Sequence, residues 1–170
     1  MFNQTDIEVA NKTSRNMGAV GKNALVPAVV RHILTTRFER QCTMVLDFGA
    51  GKAAAHAQAL LKEGWATTAY EFGDNVDVRF HNELALMQEY DLVYASNVLN
   101  VQSGQAMARE TLRQVAGCLG KFGTFVANFP QSPRKSDMTA GDMEKLLKEQ
   151  FKLVSRVGGS KSAPVWECIK

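Results

Sequence analysis

The chain has 170 residues, 45% hydrophobic and 22% charged, with a formal net charge of +3, a balance that fits one globular domain around one core and excludes disordered or fibrous classes. No apolar run approaches the ~20 residues that cross a bilayer, and the opening MFNQTDIEVANKTSRN lacks the apolar stretch of a secretory signal, so the reading is a cytoplasmic protein with no membrane partner.

Residues 1 to 17 are polar and read as irregular. From 18 to 38, Leu25, Val26, Val29, Val30, Ile33 and Leu34 recur at helical spacing, which predicts a helix bent near Pro27. TMVLDF (43 to 48) predicts a first strand, and the Ala-rich stretch from Ala53 to Lys62 predicts a helix that ends at Gly64. WATTAYEF (65 to 72) reads as a second strand, VRF (78 to 80) as a short third and YDLVYAS (90 to 96) as a fourth. A helix follows from about Ser103, its expected N-cap, to Leu119, and then the strand KFGTFVANF (121 to 129), stopped by Pro130. An amphipathic helix at 141 to 150 precedes two strands, FKLVSRV and APVWECI, joined by GGSKS.

Alternating strands and helices of this kind predict an α/β fold: a single doubly wound, mostly parallel sheet with helices on both faces. The GGSKS link is too short for a parallel crossover, so the last strand must run antiparallel to a neighbour and close the sheet as a C-terminal hairpin. The division expected is an N-terminal helical extension over 1 to 40 and an α/β domain over 41 to 170.

The chemistry concentrates where the first strand meets its helix. Asp47-Phe48-Gly49-Ala50-Gly51 lies at the carboxyl edge, where open α/β sheets bind nucleotide-like ligands, and Gly49 and Gly51 allow a sharp turn and close backbone approach. Glu71 ends the second strand, where a carboxylate can accept bonds from both hydroxyls of a ribose, and Phe72 beside it can lie against a purine. Ser96, Asn97 and Asn100 leave the fourth strand at the same edge. A P-loop is excluded, because its first glycine would fall at Leu46 and its hydroxyl at Ala53. An NAD-type GxGxxA fits Gly49 to Ala54, but Asp47 would repel a pyrophosphate.

VLDFGAG before a helix, the acidic end of the second strand and YDLVYASNVLNV together resemble the class I, Rossmann-like S-adenosylmethionine (SAM)-dependent methyltransferase family over residues 43 to 130. The late hairpin is consistent with that family. The resemblance implies SAM as cofactor, with Asp47, Phe48, Gly49, Ala50 and Gly51 around its methionine part, Glu71 and Phe72 at the ribose and adenine, and Ser96 beside them. Lys22 is expected to pair with the SAM carboxylate. Ala53 stands where the family often has a third glycine, and His81-Asn82-Glu83 where it often has an acidic residue near the adenine. Val101 replaces a frequent histidine at the reacting edge, which leaves Asn97, Asn100 and His81 as the catalytic candidates.

The function expected is methyl transfer to a small-molecule acceptor. Seven basic residues in the first 52 positions (Lys12, Arg15, Lys22, Arg31, Arg37, Arg40 and Lys52) keep a nucleic-acid acceptor open, recognised through a partner protein. The SNVLNV segment and compact size are also similar to methyltransferase-like proteins of phages and DNA-modification loci. A non-catalytic SAM-binding subunit is the third alternative, since Asn97, Asn100 and Val101 cannot ionise. Cys42, Cys118 and Cys168 are too few and too dispersed for a disulfide framework or a metal site, and are expected to be apolar fillers.

Overall fold

The protein is represented by a computed structural model that describes residues 2–15, 25–131 and 136–170. Its elements are α1 (Gln4–Arg15), α2 (Leu25–Arg37), β1 (Met44–Phe48), α3 (Ala55–Lys62), β2 (Ala66–Tyr70), β3 (Tyr90–Ala95), α4 (Gln105–Cys118), β4 (Leu119–Asn128), α5 (Ala140–Gln150), β5 (Leu153–Ser160) and β6 (Ala163–Ile169). The strands form one sheet in the order β2-β1-β3-β4-β6-β5. β1, β2, β3 and β4 are parallel, while β6 runs antiparallel to both β4 and β5, as the short hairpin link requires.

Side chains alternate across the sheet and build two apolar layers. On one face Leu46, Phe48, Val93, Phe125 and Trp166 pack against Leu112 and Val115 of α4 and Met143 and Leu147 of α5. On the other, Val45, Leu92, Val126 and Val165 meet Val26, Val30, Ile33 and Leu34 of α2 and Leu60 of α3. Both faces are therefore covered, and α2 supplies a large part of the second layer.

Four expectations change. Residues 4 to 15 form a helix rather than an irregular segment: Asn3 Oδ1 accepts the Asp6 N–H at 2.8 Å, and Ala10 is buried against Val101 and Met107. Pro27 bends nothing, because α2 starts at Leu25 and the proline lies in the first turn, where its missing N–H has no intrahelical partner to lose. VRF is not a strand: Val78 and Phe80 are exposed, Asp77 and Arg79 pair side by side, and Phe80 and His81 N–H groups close a turn on Asp77 O, leaving β3 as the third strand. Ser103 does not cap α4; Gly104 holds that position and the Ser103 hydroxyl donates to Asp6.

Among the described residues, no helix is long and apolar enough to cross a membrane, and no three His, Cys, Asp or Glu side chains gather as metal ligands do. Cys118 and Cys168 are buried and Cys42 is exposed, so the apolar-filler expectation fits two of the three.

Candidate functional site

The chain leaves β1 for β2 on one side and returns to β3 on the other, so β1 is the switch point, and the crevice lies beyond its carboxyl end. The glycine loop fills that place. Gly49 and Ala50 N–H groups both donate to Tyr70 O, at 2.9 and 3.0 Å, which ties the loop to the end of β2. Gly49 has φ +74°, and a Cβ there would come within 2.5 Å of Val98 Cγ2, so only glycine fits. Gly51 has φ +69° and nothing within 4 Å of a built Cβ; it faces open space, as a residue against a ligand must. The next left-handed residue is Ala54, with φ 44°, immediately before α3.

Glu71 holds this loop. Its Oε2 accepts the Gly51 N–H at 2.7 Å and its Oε1 the Phe72 N–H at 2.9 Å, while burial raises its pKa above the ordinary carboxylate value. Each oxygen keeps a second lone pair for a ligand hydroxyl. His81 braces the other side of the loop: its Nδ1 accepts the Asp77 N–H at 2.8 Å and its Nε2 lies 3.0 Å from Gly51 O. With Nδ1 accepting from a backbone N–H, the ring proton belongs on Nε2, which can donate to Gly51 O. His81, a catalytic candidate from sequence, is buried with both ring nitrogens engaged by this loop and the Asp77 turn.

Asp47 is buried on the α2 face of β1, opposite Tyr94 in the ladder. Burial pushes its carboxyl up to about 7, and the Glu71 charge adds to the rise. Asp47 Oδ2, the Tyr94 hydroxyl and Ser96 Oγ are buried with no hydrogen-bond partner among the described residues. Unsatisfied buried polar atoms are costly, and these three lie near the ends of β1 and β3, where a polar ligand could satisfy them.

At the reacting edge, Asn97 has φ 59°, a left-handed conformation that asparagine tolerates. Its N–H donates to Asn128 Oδ1 at 2.7 Å, and Asn128 Nδ2 donates back to Asn97 Oδ1 at 2.8 Å. This amide pair welds the loop after β3 to the end of β4. Asn128, read from sequence only as part of the strand stopped by Pro130, is thus tied to the reacting edge by a contact that no local signal reveals, since the two positions lie 31 apart.

Phe48, expected from sequence at the cofactor, is fully buried in the α4 face of the core, with its ring 5.1 Å from Tyr70. Asn100 is also buried, 1% exposed, within the turn Leu99–Val101 after β3. Ala50 and Phe72 remain half-exposed at the crevice. Lys22 lies outside the described residues.

No protein-family model matches the chain, and no curated protein is similar to it in sequence. Solved structures are similar to it in fold. A TehB-like SAM-dependent methyltransferase from Corynebacterium glutamicum superposes with a TM-score of 0.64 at 18% identity, over 99% of this chain and 100% of the other. The magnesium protoporphyrin IX methyltransferase of Synechocystis, solved with bound S-adenosylhomocysteine (SAH), gives 0.62 at 14% identity, over 100% and 89%. The CurJ carbon methyltransferase gives 0.57 at 14% identity, over 85% of this chain and only 53% of the other. The fold is therefore the Rossmann-like class I methyltransferase fold with its C-terminal antiparallel hairpin.

Proposed function

We propose that the protein is a SAM-dependent methyltransferase acting on a small-molecule acceptor. The observation that carries the cofactor reading is the loop network itself: Gly51 open toward the crevice, its N–H on Glu71 and its carbonyl on His81. Such a cradle suits a ribose beside Glu71 and a purine over Phe72. The buried, unpartnered Asp47 Oδ2 suits a cationic group and would repel a pyrophosphate, so SAM fits better than NAD.

When bound, SAM supplies a methyl group already activated on a sulfonium, so the protein's part is chiefly to place the acceptor in line. Asn97, fixed by Asn128 at the end of β3, has amide N–H groups to orient an acceptor, and Ser96 Oγ is a second polar contact. Neither removes a proton at neutral pH, so the acceptor arrives as a competent nucleophile or loses its proton to solvent.

The small-molecule reading is supported by what the N-terminal basic residues do. Arg31 pairs with Glu63, Arg37 with Glu167, and Arg40 stacks on Trp65, so three of the seven are committed within the fold rather than massed as a basic face. The Synechocystis neighbour, named for magnesium protoporphyrin IX, adds a precedent in the same fold. Incubation with methyl-labelled SAM and separate pools of small metabolites, DNA and RNA tests this. Label should enter the metabolite pool; label entering only nucleic acid would overturn the acceptor class. A second reading, a non-catalytic SAM-binding subunit, rests on the engaged His81 and the non-ionisable Asn97, and tight binding with no transfer to any pool would favour it.

A further inference from the structure

We infer that the methyl acceptor is an oxyanion, a carboxylate or the ionised form of an acidic phenol, held by the Asn97 amide and needing no base. The inference deepens the methyltransferase reading above and rests on it. Two things carry it: the orientation of one amide pair, and where a proton can go at this edge.

A backbone N–H can only donate, so the Asn97 N–H, 2.7 Å from Asn128 Oδ1, fixes which way the Asn128 amide is turned. The Asn128 nitrogen then faces Asn97 at 2.8 Å, and the Asn97 atom that meets it must be the oxygen. Both side-chain amides are thereby set by one main-chain donor. Asn97 Oδ1 has given one lone pair to Asn128, while both hydrogens of Asn97 Nδ2 are without a partner among the described residues, on a side chain that is half-buried. Asn97 therefore offers a ligand two donors against one lone pair. Beside it the Ser96 hydroxyl, also unpartnered, can donate as well. Donors in excess suit a ligand oxygen that bears negative charge.

The proton balance agrees. A neutral alcohol, an ammonium group or a carbon acid must give up a proton before it attacks a methyl group. Asn97, Asn128 and Ser96 do not titrate at neutral pH, His81 has both ring nitrogens engaged, and Glu71 has an N–H on each oxygen. Asp47, buried on the α2 face of β1, is the group proposed above for the cofactor's cation. An oxyanion has no proton to lose. It bonds to the methyl carbon with one of its own electron pairs, and the carbon–sulfur bond breaks with its pair kept by sulfur. The negative and positive charges cancel, leaving a neutral ester or ether and SAH. Attraction between these opposite charges also draws the reactants together before any bond forms.

The test divides the metabolite pool by ion exchange into anionic, neutral and cationic fractions and offers each with methyl-labelled SAM. Label should enter the anionic fraction, in a product that elutes with one negative charge fewer than its parent. Mild alkali then tells the two sources apart, since a methyl ester releases volatile methanol and an aryl ether does not; either supports the oxyanion. Label only in the neutral or cationic fraction, or in a product of unchanged charge, overturns the oxyanion and leaves methyl transfer standing. No label in any fraction overturns both, so the two failures are distinguishable. A second arm uses Asn97→Asp, which keeps the oxygen that Asn128 holds and tolerates the left-handed backbone, but turns a charged acceptor on the ligand. Transfer into the anionic fraction should fall by about tenfold or more while the variant melts cooperatively and still binds SAM. An unchanged rate overturns the hold by Asn97, and the charge of the parent protein's product decides the acceptor class whether or not this variant folds.

Discussion

Glu71, Gly51 and Asp47 each make a separable prediction. Glu71→Gln keeps the side-chain shape but replaces one acceptor oxygen by a donor, which then faces the Gly51 or Phe72 N–H. Loss of a charged-acceptor bond costs ~1.5 to 3 kcal/mol, or roughly 10- to 150-fold in affinity for SAM by calorimetry; a change below about twofold removes Glu71 from the site. Gly51→Val should abolish binding while the protein still melts cooperatively, since the open space beside Gly51 is filled and its φ of +69° disfavours a β-branched residue. For Asp47, the folded protein holds a proton up to about 7 that the unfolded chain releases near 3.8. The folded state then binds more protons across that window, so this carboxyl's contribution to stability falls as pH rises from about 4 to 7 and is flat above it. Melting curves of Asp47→Asn should lack this decline, and a parallel decline in both proteins would show that Asp47 is not its source. SAM affinity should rise over the same window, because a cationic ligand favours the ionised carboxylate. The places of Gly49, Gly51, Asp47 and Glu71 at the ends of β1 and β2 were legible from spacing relative to the strands. The roles of His81 and Asn128 were not, because they depend on backbone partners at Asp77, Gly51 and Asn97 that the fold alone brings near.

At the scale of elements, the late hairpin and the capping of α5 are the points most open to test. Gly159 has φ +76°, and a Cβ there would lie 1.9 Å from Ala163 O, a backbone atom that cannot move without opening the β5–β6 turn. Gly159→Ala should therefore destabilise the protein by at least ~1 to 3 kcal/mol in a denaturant titration, the scale of a strained left-handed residue plus a clash; an unchanged midpoint would contradict the hairpin geometry. Thr139 and Asp142 form a reciprocal capping box at the start of α5, so Thr139→Ala should cost about 1 kcal/mol by the same measurement. The helices and strands with wide apolar stripes were read correctly because burial imposes their period. α1 was missed because its buried face is narrow, with Ala10 and Asn11 buried among polar neighbours. VRF was misread in the other direction: its residues favour a strand, but the Asp77 turn claims their backbone before any neighbour can pair with it.

Across the whole molecule, the alternation of strands and helices was enough to specify a doubly wound sheet with an antiparallel end, and the order β2-β1-β3-β4-β6-β5 agrees with it. The expected third strand is replaced by turns, which leaves β2 at the sheet edge and Asn82 as the residue whose N–H meets Ala69 O there. The fold positions the glycine loop, Glu71 and Asn97 at one carboxyl edge, but a fold alone does not select a ligand, so the choice between SAM and NAD proposed from Asp47 has to be measured. The most direct test is calorimetric titration of the free protein with SAM, SAH and NAD in parallel at neutral pH. Saturable binding of SAM and SAH at one site per chain is expected, with far weaker or no binding of NAD. Saturable NAD binding with no heat from either SAM or SAH would contradict it.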